Sequence, residues 1–410
     1  MRLGFCIYLQ IENFMTMRHI LATAVAILLS FSLFAQLKVD DDGSLSSGQS
    51  YGDHYNVITT AVSFLTITPD SRAGAMGDAG AATTSDVWSQ HSNASKYALE
   101  DDDFGVGLSY TPWLSNLGIK DINLIYLAGY KKLDKKEAVG ASLCYFSLGE
   151  IEAYDEDGNK AGYTISPQEY SFDVSYSRFL ADNLVMGMTG RFIYSNLVPS
   201  DDRYHAGKAV AADISGTYFK NFKGSLPGLL TLGFNFSNIG SKISYSEDNK
   251  DFIPANMKLG AGYNVEIDQY NRFGVYFDIN KLLVPTPPLY QTNETTKARE
   301  MVAGKDDNVS VPQGIFQSFA DAPGGFKEEM KEFTLGIGAE YWYNNQFAVR
   351  AGYFNEAETK GDRKYFTAGA GLRLNVFGLD FSYLIPVNGK NSPLANTFRF
   401  SLVFDFNNEK

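Results

Sequence analysis

The chain has 410 residues, a formal net charge of -12, and 14% aromatic residues led by 30 Phe and 25 Tyr, with 38 Gly among the rest. That acidic balance excludes nucleic acid as a partner, which would need basic surface. Only 2 Cys and 4 His are present, which excludes a disulfide framework and leaves little for metal sites or His-based catalysis; no cofactor is expected.

In chain order, residues 1–35 read as an export signal. Met17, Arg18 and His19 make a short basic start, residues 20–34 are apolar, and Ala35 and Gln36 precede the acidic Asp40, Asp41 and Asp42. The apolar run is too short and too lightly flanked for a transmembrane helix. Residues 1–16 read as an over-extended start, with Met15 or Met17 as initiator. No Cys follows the cleavage region, which argues against a lipoprotein.

Residues 36–103 precede the first strand and are too long for a simple tail. Their small-residue stretch, 73–82, suits a short helix or tight turns. From the periplasmic side they are expected to fold into a barrel mouth as a plug. The acidic run 101–103 reads as a solvated edge.

From residue 104 to 406 the dominant pattern is strict alternation, the mark of strands with one apolar and one polar face. Tyr170, Phe172, Val174 and Tyr176 alternate with Ser171, Asp173, Ser175 and Ser177. Phe333, Leu335, Ile337 and Tyr341 alternate with Thr334, Gly336, Gly338 and Glu340. The same period covers 104–110, 122–130, 138–146, 184–194, 209–219, 230–236, 256–263, 272–279, 347–353, 366–374 and 377–383. The last strand, TFRFSLVFDF at 397–406, places Phe398, Phe400, Leu402, Phe404 and Phe406 on one face. About fourteen strands result, an even number, as bacterial single-chain barrels require. A mean hydropathy of -0.18 suits such a wall, since outward apolar residues alternate with inward polar ones.

The connections sort into two sets. Short ones lie near 131–137, 180–183, 220–229, 264–271, 342–346 and 375–376. Long ones lie near 111–121, 147–169, 195–208, 237–255, 280–331, 354–364 and 384–396. Short periplasmic turns facing long external loops are the asymmetry of an outer-membrane barrel, and both termini then fall on the periplasmic side. A soluble β-sandwich would alternate too, but gives no reason for that asymmetry. The expected fold is all-β: a transmembrane antiparallel β-barrel of about 14 strands with an N-terminal plug segment. The loop 280–331 opens on PTPP at 285–288, which favours extended backbone, and holds possible short helices at 292–299 and 315–320.

Several motifs have plainer readings. The glycines at 74, 77 and 80 lack the βαβ context and Gly-Lys-Ser/Thr of a phosphate loop. The acidic turn 155–159 lacks the closing Glu of a calcium loop. His205 in an external loop is the best-placed candidate for hydrolysis, with His91 in the N-terminal segment, and a lone loop His is usually only exposed. Arg178, Arg191, Arg350, Arg373 and Arg399 share the inward register with Asp173, Asp213, Asp278, Glu340, Asp380 and Asp405. They suit either an ion-paired, stiffened lumen or a polar conduit.

The segment FLTITPDSRAGAMGDAG at 64–80, with SQHSNASKY at 89–97, YTPWL at 110–114 and the Pro-rich start of the long loop, closely resembles the PorV (LptO) family. Those proteins are outer-membrane components of the type IX secretion system of Bacteroidota, related in fold to long-chain fatty acid transporter barrels. Ala94 and Ser95 depart from the Pro-Ala or Pro-Ser of many relatives, which should alter only a local turn. The resemblance covers essentially the whole mature chain. It implies a non-enzymatic carrier in the cell outer membrane that takes type IX cargo by its C-terminal signal domain from the translocon pore to the surface sortase and attachment complex, among outer-membrane lipids. It also implies that Pro69, Asp70, Arg72, Gly74, Gly77 and Gly80 build the plug. Exposed loops would grip a β-sandwich cargo domain by strand addition or apolar anchors. Candidates are Leu114, Leu289, Tyr290, Ile315, Phe316, Phe319 and Phe326, with Leu117 and Ile119; the same residues would equally serve to pack the loop onto the rim. The alternatives are an outer-membrane channel for hydrophobic small molecules and a lipid A deacylase.

Overall fold

Alternation decides which face each strand buries, and a closed wall follows from it. A computed structural model describes residues 56–114, 121–154, 160–197, 204–223, 227–247, 249–292, 299–387 and 397–407. The signal 1–35, Leu117, Ile119 and the acidic turn 155–159 lie outside the described residues. The strands are β1 (Phe104–Pro112), β2 (Ile122–Lys132), β3 (Glu137–Leu148), β4 (Ile151–Tyr154), β5 (Lys160–Ile165), β6 (Gln168–Ala181), β7 (Leu184–Asn196), β8 (Gly207–Phe222) and β9 (Gly228–Gly240). They continue as β10 (Asn256–Glu266), β11 (Asn271–Leu282), β12 (Leu289–Thr292), β13 (Arg299–Ala303), β14 (Thr334–Tyr343), β15 (Phe347–Asn355), β16 (Lys364–Leu374), β17 (Phe377–Pro386) and β18 (Phe398–Phe406).

Fourteen of these close into one antiparallel barrel, each paired with its neighbour in sequence and β18 with β1. The closing seam runs from Phe104 opposite Phe406 to Tyr110 opposite Phe400. Along β18 the outward Phe398, Phe400, Phe404 and Phe406 are 36–46% exposed, while Arg399, Ser401 and Val403 are at most 3% exposed. Closure leaves the barrel no edge strand, as spanning a bilayer requires. The alternating long and short connections hold throughout.

The remaining strands form two hairpins in long loops: β4 with β5, and β12 with β13. Thr292 and Arg299, expected to bound a helix, instead pair across the second hairpin. Helix forms at Val311–Gln317, four residues before the expected start, because Pro312 suits a first turn. A second short helix covers Phe326–Glu329.

The described N-terminal residues lie inside the barrel and cross it. Asn56 N donates to Thr359 O and Ala61 N to Phe252 O, both in long loops, whereas Asp103 N donates to Phe406 O beside the short turns. The segment therefore enters at the long-loop mouth and leaves at the short-turn end, and does not stay at one mouth. Its path is a 3-10 turn at Ser63–Thr66, a helix at Ser71–Gly74, another at Ser89–Ser92 and a 3-10 run at Ala94–Leu99.

Candidate functional site

The signature residues are spent on joining this segment to the wall. Pro69 O accepts the Ser109 hydroxyl at 2.8 Å. Asp70, 2% exposed, caps the Ser71–Gly74 helix by accepting from Ala73 N at 2.8 Å. Arg72 makes a two-pronged contact with Glu340 through Nε at 2.9 Å and Nη2 at 2.8 Å. Its Nη1 lies 2.8 Å from Asp86 Oδ2. Gly77 is left-handed at φ 64, and a Cβ there would stand 2.4 Å from Tyr353 O, so a side chain would have to displace backbone. A Cβ at Gly74 would meet the Arg399 guanidinium at 2.7 Å, and one at Gly80 would meet Ser92 at 2.8 Å. Gly80 N also donates to Asp278 Oδ2 at 2.7 Å.

The inward charges are mostly ion-paired. Arg191 bridges Asp173 at 2.8 Å and Asp213 at 3.0 Å. Arg350 bridges Glu340 at 2.6 Å and Asp380 at 2.7 Å, and Arg373 adds Asp380 at 2.6 Å. Arg399 reaches the crossing segment, donating to Thr68 O at 3.1 Å and lying 3.9 Å from Asp78 Oδ1. Arg178 belongs to no luminal network; it is largely exposed and meets Glu137 at 3.2 Å.

Outside the wall, the long loop divides its apolar residues. Phe316 and Phe326 are each 80% exposed, Phe319 44% and Tyr290 40%. Ile315 is half-buried against Ala255, Leu283 and Val284. Leu289 is also half-buried, and Leu114 packs against the cluster around Phe64 and Phe146. Leu114 and Ile315 thus pack the rim, whereas the four aromatics project. The Pro-rich start is buried, with Leu283 and Val284 at 2% and Thr286 at 0% exposure.

The foot of that loop rests on groups the sequence reading missed. Lys281, fully buried on β11, holds Glu329 at 2.8 Å and Glu332 at 2.6 Å. Lys360 from the next long loop holds Glu332 at 3.0 Å and Glu328 at 2.6 Å. Asp321, Glu329 and Glu332 bring carboxylate oxygens within 4.8 Å of one another, a spacing that a cation would fit, and the Lys281 ammonium already supplies the positive charge there. Alternation puts Lys281 on the outward register with Val275 and Phe277, so no local signal marks it for burial; the foot of the long loop covers it.

Between the crossing segment and the wall, at the long-loop mouth, lies a cavity of about 450 Å³. Residues 57–66 roof it, and Asn235, Lys258 and Asn280 are among the wall groups lining it. His91 also lines it, its ring edge-on to Tyr126 with centroids 6.2 Å apart. His205 lies elsewhere, exposed, with Nδ1 3.3 Å from Ala206 O.

A family model described as type IX secretion system protein PorV matches residues 50–289. No curated protein matches the chain. Among solved structures, the Pseudomonas putida toluene transporter TodX is similar at 12% identity and a TM-score of 0.48, over 83% of this chain and 99% of that one. The Ralstonia pickettii toluene transporter TbuX is similar at 13% identity and a TM-score of 0.45, over 83% and 98%. A Pseudomonas aeruginosa FadL homologue is similar at 11% identity and a TM-score of 0.41, over 86% and 99%. Likenesses this distant say nothing of what the chain binds.

Proposed function

Because this chain belongs to the PorV family of type IX secretion system proteins, we propose that it carries secreted cargo at the outer membrane. The cargo's C-terminal signal domain would dock on the long loop 283–333, be received from the translocon pore and be passed to the surface sortase and attachment complex. In this reading the short turns face the periplasm, the long loops face outward, and the crossing segment plugs the lumen.

One observation carries the reading. Phe316 and Phe326 stand 80% exposed on a loop whose foot is pinned by buried ion pairs. Large aromatics held out by a rigid base are what a binding hot spot requires. Beside them, β12 and β13 form a two-stranded sheet, so each strand keeps an outer edge that a β-rich partner can extend. A channel for hydrophobic solutes would need an apolar route, and the lumen is lined by Arg, Asp, Ser and Thr instead. Deacylation would need a nucleophile beside His205, whose ring meets only Ala206 O among the described residues.

The test is the double variant Phe316→Ser, Phe326→Ser. Cargo capture from detergent extract is expected to fall at least about tenfold, since each hot-spot aromatic contributes roughly 2 kcal/mol or more. Cargo with an uncleaved signal should accumulate in the cells. Normal secretion with unchanged capture would sink the reading.

A further inference from the structure

Three adjacent strands place three polar side chains in a row on the inner face of the wall. Asn235 on β9 pairs in register with Lys258 on β10, and Lys258 with Asn280 on β11. One step toward the long-loop mouth, Ser237 stands opposite Asn256. All five residues line the cavity of about 450 Å³.

Most inward charges of this barrel form direct ion pairs, but Lys258 does not, and it reaches the buried Asp278 only at longer range. Among the described residues no ion pair or hydrogen bond engages its ammonium. The amides are equally idle: Asn235 is 3% exposed and its Oδ1 has no partner. Neither Asn256 nor Asn280 spends its side chain on a hydrogen bond within the described chain. A buried acceptor without a partner costs about 1–3 kcal/mol, so idle polar atoms concentrated on one cavity wall point to a ligand that satisfies them. On the neighbouring wall Arg191 spends its guanidinium on Asp173 and Asp213, so the row differs in holding a cation without a direct partner.

The donor set restricts the ligand. An ammonium with no direct partner has donors to spare for one carboxylate. Three carboxamides and a hydroxyl offer both donors and acceptors, which suits hydroxyl groups and wastes an alkyl chain. The opening lies at the long-loop mouth under residues 57–66, so the ligand enters from the side of the long loops. We propose that the Asn235, Lys258 and Asn280 row is a binding site for a small hydroxylated carboxylate of the sugar-acid class, its carboxylate on Lys258 and its hydroxyls on the amides. The site is separate from the cargo-carrying loop and does not depend on that reading.

The experiment is calorimetric titration of the purified full-length mature protein in detergent with D-glucuronate, D-glucose and octanoate. Glucuronate is expected to bind saturably, and glucose roughly tenfold or more weaker, because it lacks the charged hydrogen bond. Lys258→Gln should weaken glucuronate by a similar factor and leave glucose unchanged. Asn280→Leu, which keeps the charge, should weaken both sugars, and it serves as the second variant if Lys258→Gln fails to run as a folded, heat-modifiable barrel. The proposal is overturned if wild type shows no saturable glucuronate binding, if neither variant weakens glucuronate, or if octanoate binds more tightly than glucuronate.

Discussion

The crossing segment, 56–103, and the long loop, 283–333, are both long excursions from the same wall, and they treat their side chains in opposite ways. The crossing segment hides nearly everything polar it owns: Asp70, Arg72, Asn93, Ser95 and Lys96 are all at most 4% exposed. Each is tied to the wall or to a neighbouring turn, as when Asn93 Nδ2 donates to Thr217 Oγ1 at 2.9 Å and Lys96 Nζ to Gly80 O at 2.8 Å. The long loop buries only its foot and leaves Phe316, Phe326 and Met330 in solvent. Exposed aromatics on an anchored base cost little stability and offer binding energy; buried charges cost desolvation and repay it only if every partner is present. The first region is therefore built to stay and the second to be met.

The largest expected effect breaks the first half of that contrast. Arg72→Met removes the two-pronged contact with Glu340 and the only ion pair recorded for Asp86 among the described residues. Losing one member of a buried network costs about 3–5 kcal/mol. Heat-modifiability on semi-native gels should show a melting temperature well below wild type, with the barrel still able to form. An unchanged melting temperature would mean that the segment lies in the lumen without holding it.

Lys281→Met is the matching test at the loop foot and is expected to act more locally. Glu329 loses its ammonium partner, while Glu332 retains Lys360. Limited proteolysis should cut within 304–330 at least about tenfold faster, a little over 1 kcal/mol of opening free energy. The barrel's melting should hardly move. Equal loss of barrel stability would erase the distinction between the two regions.

How far the sequence revealed these regions differs for physical reasons. The wall was legible because a period of two is a local property: each strand's own residues declare which face turns inward, and β18 shows this from Phe398 to Phe406. That Asp173, Arg191 and Glu340 face inward was legible for the same reason, but whether they pair or line a conduit was not. What stayed hidden depends on register between strands. Nothing in the neighbourhood of Lys258 says that Asn235 and Asn280 stand beside it, since pairing of strands 23 and 22 residues away is set by turn lengths. The direction of the crossing segment was hidden too, because it is decided by contacts such as Asn56 with Thr359, about three hundred residues apart. In the long loop, the exposed aromatics could be named but not separated from Ile315, which the rim takes inward.

The smallest effect sharpens the contrast by pH. Asp321 sits at the loop foot with Oδ2 accepting from Thr286 N at 3.2 Å, and burial, with Glu329 and Glu332 nearby, raises its carboxyl from the ordinary 3.8 to about 6. A carboxyl whose folded value lies above its unfolded one favours the folded loop while protonated. That contribution is complete below about pH 3.8 and is lost as pH rises through about 6. Protease resistance of the loop should therefore decline modestly between pH 5 and pH 7 (roughly the window one pH unit either side of that value). Asp321→Asn keeps an oxygen for Thr286 N and cannot ionise, so it should hold the low-pH resistance across the window. The closed strand wall offers the control, since its backbone is paired throughout and no cleavage should appear there at either pH. A decline that persists in Asp321→Asn would place the titrating group elsewhere and leave the loop foot rigid at both values.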